Sequence, residues 1–239
     1  MKGTIKNILI GSYNCSLYLP PKYYSKKENY DVIYINGDFL STESLENLEC
    51  LFESQCKGFI ILGIMSDNWN KDFTPWPSKK VFKKSEDFSG NALKYLEILE
   101  NTIKPYIDEN YRTNPAPHNT SLIGYSLGGL ASLYAIYNFK SFGKIASISG
   151  SLWYENWINF ITSNSPINPS LKIYLSLGKD EEKSKNPRIR SVSTCTNETL
   201  SILQHKLISE NNITLEWNEG GHFKDVEERF EKAILWLMK

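Results

Sequence analysis

The residues best suited to chemistry lie at 124–128, which read Gly-Tyr-Ser-Leu-Gly and match the pattern G-x-S-x-G. This pattern marks a sharp turn between a strand and a helix that lifts a serine hydroxyl, here that of Ser126, clear of the sheet. The flanks fit, because residues 121–123 suit a buried strand and residues 130–136 are good helix formers without proline. A Cβ in place of either glycine would collide across the turn. We therefore predict a nucleophile at Ser126, the alternative being a glycine-rich turn with an exposed serine.

A serine hydroxyl is a poor nucleophile unless a base takes its proton, and histidine suits that task at neutral pH. The chain has three histidines, His118, His205 and His222. His118 precedes the predicted serine strand, at its wrong end, and His205 lies within a predicted helix. His222 follows the last predicted strand in a glycine-rich turn, at the end of the strands where open α/β sheets place their sites. We predict His222 as the base, the alternative being a turn histidine on the surface.

The histidine also needs a carboxylate that fixes its tautomer and stabilises the imidazolium. Asp180, Glu181 and Glu182 stand in a row at the end of the penultimate predicted strand. Such a row could also be a solvated charge run, and at most one of its members can pair with the histidine. The Gly-x-x-acid spacing from Gly178 favours Glu181, with Asp180 as the alternative. The sequence leaves both open.

A developing oxyanion needs two backbone N–H donors. One should be Leu127, directly after the nucleophile. The other should follow the strand predicted at 31–35, where Asp38 comes after Gly37. The carboxylate of Asp38 would then have to point away from the negative charge that its N–H binds.

Residues 66–90 form a long stretch without a period, in which Trp69 and Trp76 stand among prolines and polar residues. Irregular segments of this length in a compact chain are usually functional or disordered. The stretch is predicted to wall a substrate pocket. The alternative is a surface loop packed by its own aromatic side chains.

The composition excludes several classes of function. With 239 residues, 41% hydrophobic and 23% charged residues and a net charge of zero, nothing indicates binding to nucleic acid or to an anionic membrane surface. No signal peptide or membrane span is evident, so a cytoplasmic protein is expected. The four cysteines form no C-x-x-C pair, so reduced thiols are expected, with no metal and no cofactor. A homo-oligomer is left open.

Strand and helix patterns alternate along the chain and predict a mostly parallel sheet with helices on both faces. The first two strands read as an antiparallel hairpin at one edge. No linker interrupts the pattern, so residues 1–239 are expected to form a single α/β domain. Strands are predicted at 5–10, 15–19, 31–37, 58–64, 121–123, 144–149, 171–177 and 213–217, and helices at 44–56, 91–111, 130–136, 194–208 and 226–237. Pro105 should kink the second helix or end its regular part.

Six stretches resemble motifs of one enzyme family: 18–23, 72–77, 104–112, 124–130, 149–153 and 220–222. On these the chain resembles the Putative esterase (esterase D–like) family of α/β hydrolases, which contains siderophore, feruloyl and acetyl esterases, S-formylglutathione hydrolases and mycolyl transferases. The closest likeness is to the siderophore-esterase-like branch. The resemblance implies the α/β-hydrolase fold, ester hydrolysis, and the chain order of serine, acid and histidine. It also implies that Trp153 and Trp76 line the pocket, unless they are ordinary core aromatics.

Two departures from that branch bear on the substrate. Trp69 stands where the branch often has an arginine, and Asn36 precedes Gly37 where the branch often has aspartate. Both point away from a large anionic ferric siderophore. We therefore expect a serine carboxylic-ester hydrolase that forms an acyl-enzyme on a small or aromatic ester. The alternatives are an esterase of catecholate trilactone siderophores, and an acyltransferase or binding protein on the same fold.

Overall fold

The computed structural model describes residues 1–37, 40–55 and 58–239, and it describes the side chains of all of these except residues 52–55. Within them the strands are β1 (Thr4–Ile10), β2 (Tyr13–Leu19), β3 (Asp31–Asn36), β4 (Phe59–Ile64), β5 (Pro77–Ser78), β6 (Phe88–Ser89), β7 (Thr120–Tyr125), β8 (Lys144–Ile148), β9 (Lys172–Gly178) and β10 (Ile213–Asn218). The main sheet has the order β1-β2-β4-β3-β7-β8-β9-β10. β2 pairs antiparallel with β1 and with β4, and the other pairs are parallel. This confirms the predicted mostly parallel sheet with an antiparallel N-terminal edge.

The central strands are buried because helices cover both of their faces. Every residue of β4 and β7 is buried, whereas most residues of β1 at the edge are exposed or half-buried. The parallel strands β3, β7, β8, β9 and β10 all end at the same edge of the sheet. The turns that follow these strands therefore lie close together.

The helices are α1 (Thr42–Gln55), α2 (Trp69–Asp72), α3 (Ala92–Ile98), α4 (Lys104–Asn110), α5 (Leu127–Ala135), α6 (Trp157–Ser163), α7 (Pro187–Arg190), α8 (Val192–Lys206) and α9 (Val226–Met238). Neighbouring residues of a strand face opposite sides of the sheet, so they belong to different cores. Ile123 packs in one core with Phe230 of α9, and Leu122 packs in the other core with Leu130 of α5. Among the described residues, no helix combines the length and the apolar character needed to cross a membrane.

The helix predicted over residues 91–111 is interrupted near Pro105, as expected. Its α-helical part ends at Ile98, a π-helical turn follows at Leu99–Ile103, and α4 begins at Lys104. Proline has no N–H and its ring clashes with the carbonyl four residues earlier. The wider π turn accommodates this local misfit.

The irregular stretch 66–90 contains α2 and the short pair β5 and β6. Phe73 and Phe88 anchor it, because both rings are buried in the core beneath α3 and α5. The stretch leaves the carboxyl end of β4. It therefore lies at the edge of the sheet where β7 delivers Ser126.

Candidate active site

Ser126 lies at the turn between β7 and α5 and has φ 57° and ψ −122°. A non-glycine residue holds such angles only when its surroundings enforce them. Its N–H donates to the carbonyl of Ile148 at 3.0 Å, which ties the turn to β8. A Cβ at Gly124 would lie 2.2 Å from the backbone of Gly128, and one at Gly128 would lie 3.0 Å from the carbonyl of Asn36. The turn thus excludes a Cβ at Gly124, as the sequence predicted, whereas a Cβ at Gly128 would press against β3 and not across the turn.

The ring of His222 faces Ser126 from the turn after β10. Its Nε2 lies 3.1 Å from Oγ of Ser126. Tyr125 holds the turn from below, because its hydroxyl donates to the carbonyl of His222 at 2.5 Å and its ring lies 4.8 Å from the imidazole. The last residue of β7 therefore positions the imidazole beside the serine that follows it.

Glu181 lies on the other side of the imidazole, with Oε2 at 2.7 Å from Nδ1 of His222. Its second oxygen, Oε1, accepts the N–H of Gly178 at 2.8 Å and the guanidinium of Arg229 at 3.1 Å. Burial alone would raise the pKa of Glu181, but the hydrogen bond and charge of His222, followed by the Gly178 N–H, hold that pKa below its usual range. The carboxylate is therefore ionised although its side chain is only 3% exposed.

Asp180, the alternative acid, points elsewhere. Its carboxylate pairs with Lys183 at 2.7 Å on the surface, and its N–H donates to the carbonyl of Gly220 at 3.0 Å. The single 3₁₀ turn at Glu181–Lys183 places consecutive side chains on different sides of the chain. The structure therefore brings Glu181, and not Asp180, to His222.

Leu127 is the first residue of α5, so its N–H has no acceptor within the helix. It directly follows Ser126 and suits the predicted role as an oxyanion donor. Asp38, the other predicted donor, lies outside the described residues. The N–H of the preceding Gly37 is already engaged, since it donates to the carbonyl of Ile64 at 2.9 Å.

A cavity of about 790 Å³ opens beside Ser126 and His222. Its wall is largely apolar and is formed by Trp69, Phe82, Trp153, Ile189, Val192 and Phe223. The structure places two of the three predicted pocket residues, Trp69 and Trp153, in this wall. Phe82 lies in the stretch 66–90 that was predicted to wall the pocket but was not named, and Phe223 was missed, because a lone phenylalanine in a loop gives no periodic signal. They are 61% and 86% exposed.

Trp76, the third predicted pocket residue, does not line this cavity. Its indole Nε1 donates to the carbonyl of Glu155 at 2.8 Å, and its ring packs against the rings of Tyr134, Tyr154 and Phe160. The structure therefore corrects the placement of Trp76, which is an ordinary packing aromatic.

Two polar residues near the site were also missed. Ser151 is buried, its Oγ lies 3.3 Å from Oγ of Ser126, and its N–H donates to the carbonyl of Ser126 at 3.0 Å. Arg229 lies on the buried stripe of α9, four residues before Ala233, and is fully buried. A charged residue on the apolar face of a helix was a signal in the sequence that could have identified Arg229.

A mostly parallel sheet with a strained serine between a strand and a helix defines an α/β hydrolase. Comparison with known families gives the particular family. A family model described as Putative esterase matches residues 7–225, so the chain belongs to the Putative esterase family. It is accordingly a carboxylic ester hydrolase.

The chain is also similar to a curated protein and to several solved structures. The chain is 33% identical to the uncharacterized protein YbbA of Bacillus subtilis (strain 168) over 99% of its own length and 97% of that protein. Among solved structures, an IroE-like serine hydrolase from Shewanella oneidensis superposes with a TM-score of 0.80 at 17% identity, covering 99% of this chain and 80% of that one. The siderophore hydrolase EstA from Aspergillus nidulans gives 0.75 at 18% identity, covering 99% and 94%. At these identities, the likeness to the solved structures shows the fold.

Proposed function

We propose that this chain is a serine esterase that hydrolyses a small or aromatic ester through an acyl-enzyme on Ser126. One observation carries the proposal: His222 lies between Ser126 Oγ at 3.1 Å and Glu181 Oε2 at 2.7 Å. Both distances are within the reach that proton transfer and histidine orientation require. The three residues follow one another in the order serine, acid, histidine along the chain.

In the first half-reaction, Oγ of Ser126 attacks the ester carbonyl carbon while Nε2 of His222 takes the hydroxyl proton. Glu181 stays ionised and stabilises the imidazolium through Nδ1. The negative charge that develops on the carbonyl oxygen is stabilised by the N–H of Leu127. When the C–O bond to the alcohol breaks, His222 returns the proton to the departing oxygen, and the acyl group remains on Ser126.

In the second half-reaction, water replaces the alcohol. Nε2 of His222 removes a proton from the water, whose oxygen attacks the acyl carbonyl. The bond to Ser126 then breaks and the proton goes back to Oγ. One ester and one water yield one acid and one alcohol, with no other reactant.

The cavity wall supports the proposed preference for uncharged esters. Trp69, Trp153 and Phe223 offer apolar surface whose burial favours binding by roughly 25 cal/mol per Å². Among the described residues, the one cation in the wall is Lys183, and Asp180 already pairs with it. The wall thus offers little to a highly charged ferric complex.

The test compares kcat/KM for a feruloyl or short aliphatic ester with kcat/KM for a catecholate trilactone, in the presence and absence of iron. We expect the uncharged aromatic or aliphatic ester to be the better substrate. A trilactone preference of roughly a hundredfold, about 2.7 kcal/mol of transition-state binding, would instead assign the siderophore-esterase activity to this chain. Adding an acceptor alcohol tests acyl transfer, which is excluded if water remains the dominant acceptor.

A further inference from the structure

Arg229 connects three turns of the site from beneath. Its Nη1 donates to Oγ of Ser149 at 2.6 Å and to Oε1 of Glu181 at 3.1 Å. Its Nη2 donates to the carbonyl of Gly221 at 3.0 Å and to that of Glu219 at 3.4 Å. These partners follow β8, β9 and β10, so one guanidinium joins the carboxyl ends of three neighbouring strands.

We propose that Arg229 is a positioning residue for the proton transfer at His222, an inference that rests on the proposed function of Ser126, Glu181 and His222. Arg229 fixes the carboxylate of Glu181, which orients the imidazole, and it also fixes the turn that carries His222. Arg229 contacts no reacting atom and acts through Glu181 and through the backbone of residues 219–221.

The geometry divides the two oxygens of Glu181 between two tasks. Oε1 takes the Gly178 N–H and the Arg229 guanidinium, so Oε2 is left for Nδ1 of His222. A planar guanidinium can hold a carboxylate, a hydroxyl and two carbonyls at once, whereas a lysine ammonium on a flexible stem cannot reproduce this fork. The direction of Oε2 therefore depends on Arg229.

The Glu181–Arg229 ion pair is buried, with side chains 3% and 0% exposed. The other ion pairs near these turns lie at the surface: Lys179 with Glu219, Asp180 with Lys183, Lys224 with Asp225, and Lys232 with Glu216 and Glu228. Removing the guanidinium would therefore leave a buried carboxylate without its cation.

The experiment compares Arg229→Lys with Arg229→Met, using kcat per active site counted by phosphonate titration. Arg229→Lys keeps the charge but cannot form the fork, so kcat should fall about tenfold with KM unchanged. Arg229→Met removes the guanidinium altogether, so its kcat should fall further, again with KM unchanged. Lys232→Met is the matched control, since it removes a cation from the exposed side of α9, and its kcat should not change.

A purely structural role would lower the melting temperature without changing kcat per active site, and that result would overturn the inference. If Arg229→Met does not fold, the kcat values of Arg229→Lys and Ser149→Ala test the inference instead. Ser149→Ala removes one anchor of the guanidinium and should lower kcat several-fold at constant KM, while wild-type kcat in both variants would overturn the inference. A different result would contradict the proposed function itself, namely esterase activity that is retained in Ser126→Ala.

Discussion

The two sides of the candidate active site are built in opposite ways. On the side of the chemistry, Glu181 and Arg229 are buried, and their side chains are held by hydrogen bonds to the turns around them. On the side of the substrate cavity, Phe82 and Phe223 are 61% and 86% exposed. Buried charges must be paired or they destabilise the fold, whereas an apolar wall needs no partners. The fold therefore fixes the groups proposed for proton transfer more strictly than the groups proposed to contact substrate.

The cavity wall depends on two surface segments that hold each other. Asn186 donates to the carbonyl of Val81 at 2.6 Å, and Arg188 donates to the carbonyl of Lys79 at 2.7 Å. The Arg188 guanidinium also lies 5.7 Å from the ring of Trp153. Substitutions in this wall should change which ester is accepted while leaving the chemistry in place.

The largest expected effect is on the side of the chemistry. Ser126→Ala removes the attacking oxygen and should lower kcat by roughly four to six powers of ten. Ser151→Ala, a matched control with its Oγ 3.3 Å away, should lose less than about tenfold because it carries no proposed bond-forming role. Steady-state kinetics and circular dichroism of both variants check this. A large loss in Ser151→Ala alone would place the nucleophile at Ser151.

The next effect separates two adjacent acids. Glu181→Gln keeps the size of the side chain but removes the charge that stabilises the imidazolium, so kcat should fall by about two to four powers of ten. Asp180→Asn breaks only an exposed pair with Lys183 and should change kcat less than about threefold. The measurement is kcat per active site. Equal small losses in both variants would mean that Ser126 and His222 work as a dyad.

The smallest effect is expected in the aromatic residues. Trp153→Ala should raise KM for an aromatic ester about tenfold and for an acetyl ester much less, because the lost apolar contact matters for the larger group. Trp76→Ala should leave KM unchanged and lower the free energy of unfolding by roughly 2 kcal/mol, since this half-buried ring packs behind the cavity. Kinetics with the two esters and urea unfolding distinguish them. Equal KM changes in both variants would contradict the placement of Trp76.

The sequence predicted the fold and the serine turn because both depend on local rules. Central strands such as Phe59–Ile64 must be apolar throughout when both faces are covered, and the turn around Ser126 excludes a Cβ at Gly124. Those requirements are visible in short stretches of residues. The mostly parallel sheet and its antiparallel edge followed from them.

The remaining features depend on the directions in which individual side chains point, and short stretches of sequence do not reveal these. One 3₁₀ turn decides whether the side chain of Asp180 or that of Glu181 faces His222. The sequence cannot distinguish them, because the two acids are adjacent and their distances along the chain from Gly178 differ by one residue. Trp76 and Trp153 are equally aromatic, and only tertiary contacts, such as the hydrogen bond of the Trp76 indole to Glu155, distinguish a packing residue from a pocket residue. Arg229 is 48 residues from Glu181 along the chain, so their ion pair has no local pattern.

The most direct test of a serine esterase on this chain is labelling with an organophosphonate followed by peptide mass spectrometry. The proposed mechanism predicts a single adduct on the peptide that contains Ser126, formed much more slowly in His222→Ala because Nε2, 3.1 Å from Oγ, no longer accepts the proton. An adduct on any other residue, or one formed equally fast without His222, would contradict the account.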